Sequence, residues 1–218
     1  MPVIVNDVEK NTTDRQGLIC AEKAGIKYTI SQEKLLKNDD YSFNVFSDER
    51  TEDILEKLFS INYITLQNNA EWALGIVTGD NKKFLTEIRT KTNEPILTGK
   101  EIQKFNALPA KNFIEFQPEN FQQVAPAYKY RAKEKLIYKF ISKELVFAYD
   151  DKQTLTLNSA NILIPNAKEY PIKTILALFN STLYQFLYQK KFGSFKILRG
   201  DLERLPLPVV DEQMHKEI

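Results

Sequence analysis

Between Phe84 and Pro165 the chain carries seven short apolar runs, and after Pro171 the spacing of its apolar residues switches from strand-like to helical. The runs are FLTEI (84–88), EPILTG (94–99), NFIEF (112–116), KLIYKFI (135–141), ELVFAYD (144–150), TLTLN (154–158) and NILIP (161–165). They are rich in Ile, Leu, Phe and Tyr, and polar, Pro or Asn breaks separate them, as in strands joined by turns. ALGIV (73–77) reads as a further strand ahead of them. In PIKTILALFNSTLYQFLYQKKF (171–192), Pro171 suits a first helical turn. Ile172, Ile175, Leu176, Phe179, Leu183, Phe186 and Leu187 then form one stripe about five turns long. Lys190 and Lys191 lie in the last turn, and Gly193 stops the helix. Asn180-Ser181 reads as a structural interruption.

Shorter elements complete the pattern. ERTEDILEKLFSI (49–61) is helical in spacing, with Asp48 as N-cap; GKEIQKF (99–105) and GDLERL (200–205) read as short helices, and SFKIL (194–198) as a last strand. Residues 1–45 have no firm assignment. Many strands followed by one long helix and a terminal strand give an α+β domain, an antiparallel or mixed sheet packed on that helix. The expected organisation is a connector over 1–70, a domain over 71–210 and a tail over 211–218.

Several chemistries are excluded by count. Cys20 is the only cysteine and His215 the only histidine. A disulfide framework, histidine-based triads and histidine zinc sites therefore have no material. No run of 18 apolar residues occurs, and the start lacks a signal peptide's charged and apolar regions, so a cytoplasmic protein with no membrane partner is expected. The net charge of +1 is unevenly divided. Residues 1–74 carry 13 acids against 8 Lys/Arg (−5), and residues 75–218 carry 16 against 22 (+6), which points toward an anionic partner for the later part.

Four stretches then occur in order: GIVTGDNKKF (75–84), EPILTGKEIQKF (94–105), KEKLIYKFISKELVFAYD (133–150) and ILALFNSTLYQFLYQKKFGSFKILRGDLERLPLP (175–208). Together they resemble the TaqI-like C-terminal specificity domain of type IIG restriction–modification enzymes and related adenine-N6 DNA methyltransferases. That module is similar to the target-recognition domains of type I specificity subunits. The resemblance implies a module that grips duplex DNA and reads a short sequence while other domains do the chemistry. A methyltransferase needs a glycine-rich cofactor loop and an (Asn/Asp)-Pro-Pro-(Tyr/Phe) loop; this chain has neither Pro-Pro nor Gly-x-Gly. The chain itself is thus expected to hold no cofactor. S-adenosylmethionine and Mg²⁺ are expected only in a methyltransferase or nuclease domain, in cis or as a separate prokaryotic subunit. A fragment of a longer enzyme, or a separately encoded specificity piece, is the expectation.

Within that frame ALGIVTGDNKKF (73–84) has two readings. It is either a core strand ending in a solvated turn, or a backbone contact in which Thr78, Gly79, Asn81, Lys82 and Lys83 meet phosphate. From Lys129 to Lys143 there are six Lys/Arg and one acid, interleaved with Tyr130 and Tyr138. Lys129, Tyr130, Arg131 and Lys133 are therefore candidate DNA contacts, with a solvated strand edge as the plain alternative. Lys143, Glu144, Tyr149 and Asp151 are candidate readers of base edges, lysine suiting guanine and carboxylates suiting cytosine N4. Lys190, Lys196 and Arg199 add a second basic region. Two other classes remain: a Mg²⁺-dependent nuclease built on Glu119, Asp150 and Lys152, and a protein-interaction domain with an incidental basic face.

Overall fold

The computed structural model of the protein describes residues 10–13, 17–23, 25–33, 49–168 and 170–209, and the chain divides into two compact units between Asn62 and Tyr63. In the first unit, strands β1 (Lys10–Thr13), β2 (Leu18–Lys23) and β3 (Ile26–Ser31) form an antiparallel meander, and α1 spans Glu49–Ser60. Ile19 and Ile30 are cross-strand partners and both are buried, which fixes the register of this small sheet. α1 occupies the stretch that its periodicity predicts; its expected cap, Asp48, lies outside the described residues.

The second unit is layered. Strands β5 (Ala70–Ala73), β9 (Lys135–Lys139), β10 (Phe147–Asp150) and β12 (Ala160–Pro165) make an antiparallel sheet in the order β10-β9-β12-β5. β6 (Leu85–Thr86), β7 (Glu94–Leu97), β8 (Asn112–Ile114) and β11 (Leu155–Thr156) make a mixed one in the order β11-β7-β8-β6, with β11 parallel to β7. Two-residue alternation assigns the faces of the first sheet. Ala73, Ile137, Ala148 and Ile162 point one way and pack with Ile96, Leu97, Ile114 and Leu155 of the mixed sheet. Tyr138 and its partner Phe147 point the other way, onto the helices. Both faces of β9 are therefore covered, which is why KLIY is buried throughout.

The helical layer is α4 (Ile172–Asn180) and α5 (Thr182–Lys191), two helices and not the single long one that the stripe predicts. Ser181 sits between them in extended backbone (φ −70°, ψ 155°), its hydroxyl donating to Leu178 O and accepting from Tyr184 N as the cap of α5. What breaks the helix is hydrogen bonding to the sheet edge. The buried Asn180 amide accepts from Phe147 N at 3.0 Å and donates to Phe147 O at 2.9 Å. Gln185 does the same at Leu145, 2.6 and 3.1 Å away. Two side-chain amides thus stand in for a missing neighbouring strand along the edge next to β10.

Two more expectations are corrected. GKEIQKF (99–105) is a turn with isolated bridges, because the Glu101 carboxylate bonds Thr98 N and its hydroxyl and closes the chain on itself. SFKIL (194–198) makes one bridge, Ile141 to Lys196, and no strand. β4 (Tyr63–Ile64), from the stretch read as connector, pairs with β13 (Leu207–Pro208), so the LPLP exit is tied to the start of this unit. The short helix α6 covers Arg199–Leu202. Among the described residues no helix is long and apolar enough to cross a membrane.

Candidate nucleic-acid interface

The stretch 73–84 ends in the one-turn helix α2 (Asn81–Phe84), entered through Gly79 at φ +81°. Gly75, upstream, is required by space: a Cβ there would lie 2.1 Å from Leu157 O. Asp80 caps α2, accepting from Lys82 N at 3.0 Å and Lys83 N at 3.2 Å. Thr78 is buried and donates to Asn81 Oδ1 at 2.6 Å. The backbone N–H groups of Lys82 and Lys83 are therefore already used by the protein's own carboxylate. The Lys82 and Lys83 side chains project into solvent, Lys83 Nζ lying 5.0 Å from the Phe84 ring centre.

The basic run at 129–143 divides by burial. Tyr130 in α3 (Ala127–Tyr130) is fully buried, donating to Leu74 O and accepting from Ala125 N, so it serves the core and not a groove. Lys129 Nζ donates to Trp72 O at 3.1 Å and pairs with Glu71 at 3.3 Å. Tyr128 donates to the same carboxylate at 2.6 Å, and these contacts hold Glu71 below the usual carboxylate range. Arg131 makes a two-pronged contact with Glu94, both prongs 2.6 Å, and lies over the Phe116 ring. Lys135, cross-strand partner of Asp150, is wholly buried and bonds Asp150 Oδ2 at 2.5 Å and Tyr130 O at 2.8 Å. Burial lowers its pKa, with the carboxylate opposing the shift. Only Lys133 and Lys143 of this run are freely exposed.

Asp150 also accepts from Thr154 N and Thr154 Oγ1. With its oxygens committed to Lys135 and Thr154, it lacks the open coordination that the nuclease reading requires. Glu119, in the single 3₁₀ turn Pro118–Asn120, and Lys152 are exposed surface residues.

The segment expected to read base edges is more open. Glu144 pairs with Lys104 at 2.6 Å with the side chains 49% and 35% exposed, and a solvent-screened pair of that kind is worth at most about 1 kcal/mol. Asp151 is exposed. Tyr149 donates to Glu134, which pushes its hydroxyl pKa up to about 12. Lys143 lines an open pocket of about 370 Å³ with Tyr188, Gln189, Gly193, Ser194 and Phe195. Two backbone bonds, Ser142 N to Phe195 O and Ile197 N to Phe140 O, set Ile141 opposite Lys196. Lys143 and Lys196, from segments distant in sequence, thus share one region. Exposed Ile141 and Phe195 sit with them, and neither was singled out from sequence. Lys190 is half-buried, and Arg199 pairs with Glu203 at 2.7 Å while staying 62% exposed.

A family profile described as the TaqI-like C-terminal specificity domain matches residues 94–207. Over 91 residues the chain is 34% identical to a protein described as Type II methyltransferase M.VspI, from Vibrio sp. (strain 343). That alignment covers 42% of this chain and 22% of the relative, so the chain spans only a part of that protein's length.

Proposed function

Because the chain belongs to the TaqI-like C-terminal specificity domain family, we propose that it is the DNA target-recognition domain of a restriction–modification enzyme. The match across residues 94–207 carries this reading. In it, the exposed ammonium groups of Lys82, Lys83, Lys133 and Lys196 neutralise phosphates of duplex DNA, and Lys143, Glu144 and Asp151 face base edges. Lys129 and Arg131 act indirectly: tied to Glu71 and Glu94, they hold α3 and the start of β7 in place. The surface Lys104–Glu144 pair is weak enough to exchange for a base contact.

The relative's description as a methyltransferase supports a partner that methylates DNA at the site this domain selects. Methyl transfer from S-adenosylmethionine, and any Mg²⁺-dependent cutting of the type IIG kind, would then belong to domains in cis or to separate subunits.

The test is duplex binding as a function of salt, by fluorescence anisotropy. With about four to six phosphates neutralised, affinity should fall roughly 10²- to 10³-fold between about 50 and 200 mM salt. A flat salt response, or no binding at low salt, contradicts the reading.

A further inference from the structure

Ile88 is 73% exposed, the most exposed large apolar side chain among the described residues. It sits in the connection 87–93 between β6 and β7. Those strands flank β8 on its two sides, since Leu85 and Glu94 both pair with Ile114, so the connection must cross β8. It crosses the face away from the core: Ile114 is buried, while the strap touches Phe113 and Glu115 on the other side.

The strap is fastened along its length. The Asn93 amide, only 4% exposed, accepts from Thr90 N at 2.9 Å and donates to Ile88 O at 3.0 Å. Thr86 Oγ1 accepts from Ile88 N at 3.1 Å, and Thr92 Oγ1 donates to Glu115 at 2.5 Å. Such bracing fixes the backbone yet leaves its bulkiest apolar side chain in water, where it adds nothing to the core. Arg89 has its guanidinium 5.4 Å from the Phe113 ring centre, a contact that orients the cation without neutralising it. Lys91 is exposed nearby.

We propose that the 87–93 strap is a DNA-inserting element, Ile88 entering a groove against base atoms while Arg89 and Lys91 meet the flanking phosphates. An apolar tip preceded by the exposed Glu87 and followed by two cations, on a pre-formed loop, suits an anionic polymer with an apolar interior at its groove floor. Two cations beside the tip favour that occupant over an apolar protein surface, which would leave both charges buried. The inference rests on the DNA-recognition reading and adds a contact that the basic stretches do not contain.

The experiment measures binding of the full chain to a short fluorescein-labelled duplex as salt is varied. Ile88→Ser removes no charge, so it should weaken binding roughly tenfold with the salt slope unchanged, as loss of a buried apolar contact does. Arg89→Ala and Lys91→Ala should each shallow the slope by about one unit. Asn93→Ala, which removes no surface group, should weaken binding by loosening the strap. All four variants should keep the fold, checked by circular dichroism. If wild type binds with the expected salt dependence while Ile88→Ser binds equally well, the strap proposal is overturned and DNA recognition stands. If wild type does not bind duplex at all, the functional reading itself fails.

Discussion

The Lys135–Asp150 pair offers a stability experiment with a sharp expectation. Asp150→Ala removes the carboxylate that takes Lys135 Nζ and both Thr154 donors. A wholly buried ammonium is left with Tyr130 O as its remaining acceptor. Breaking a buried pair from one side costs about 3–5 kcal/mol. For a unit the size of Tyr63–Ile218, at about 2–4 °C per kcal/mol, the melting point should drop by roughly 6–20 °C. Trp72, the only tryptophan, lies in β5 of this unit, so its fluorescence follows this unit's unfolding.

The pH dependence adds a second check on the same variant. Lys135 already has a lowered pKa from burial, and losing Asp150 removes the contact that raises it, so it falls further. The unfolded lysine keeps its proton to about pH 10.4. Between the two values the unfolded state binds more protons, and stability therefore rises with pH over a wider window than in wild type. The deficit of Asp150→Ala should accordingly shrink from neutral to alkaline pH. Replacing both charges, Lys135→Met with Asp150→Val, should recover most of the loss. Melting of Asp150→Ala within about 2 °C of wild type would refute a closed buried pair and return Asp150 to the pool of available carboxylates.

Other variants test the remaining assignments. Asn180→Ala leaves the buried Phe147 N–H without its acceptor, while Phe147 O keeps Phe105 N at 2.7 Å, and should cost about 1–3 kcal/mol in urea unfolding. Gly75→Ala should prevent normal folding, seen as loss of cooperative melting, since the added carbon would lie 2.1 Å from Leu157 O and 2.7 Å from Ala160 O, both fixed backbone atoms. Lys82→Ala and Lys83→Ala should each weaken binding to all duplex sequences alike and shallow the salt slope by about one unit, with unchanged melting. Arg131→Ala should instead lower the melting temperature, because its guanidinium holds Glu94 and covers Phe116.

The strand content of the second unit was legible because it follows from residue type and spacing. Each of the seven runs between 84 and 165 holds a strand. What spacing could not show is where a polar side chain finds its partner. The apolar stripe at 172–187 continues across Ser181, yet Asn180 and Gln185 turn to the β10 edge and divide the helix. The same blindness affected the candidate contacts. KYRAKEK reads as a basic patch, but Glu71, Glu94 and Asp150, on three separate strands, consume Lys129, Arg131 and Lys135. The 140–142 and 195–197 segments meet only through tertiary pairing, which hid Ile141 and Phe195 beside Lys143 and Lys196. The meander at 10–31 escaped assignment because its strands are short and, among the described residues there, only Ile19, Ala21 and Ile30 are buried hydrophobics.

Sequence-specific recognition is tested most directly by selection from a fully randomised duplex pool, using the full chain at low salt and sequencing the bound fraction. The account predicts progressive enrichment of one short motif, with a preference that shifts when Lys143 or Asp151 is replaced by alanine. Bound DNA that stays as random as the input would contradict it, leaving a surface that holds phosphate but reads nothing.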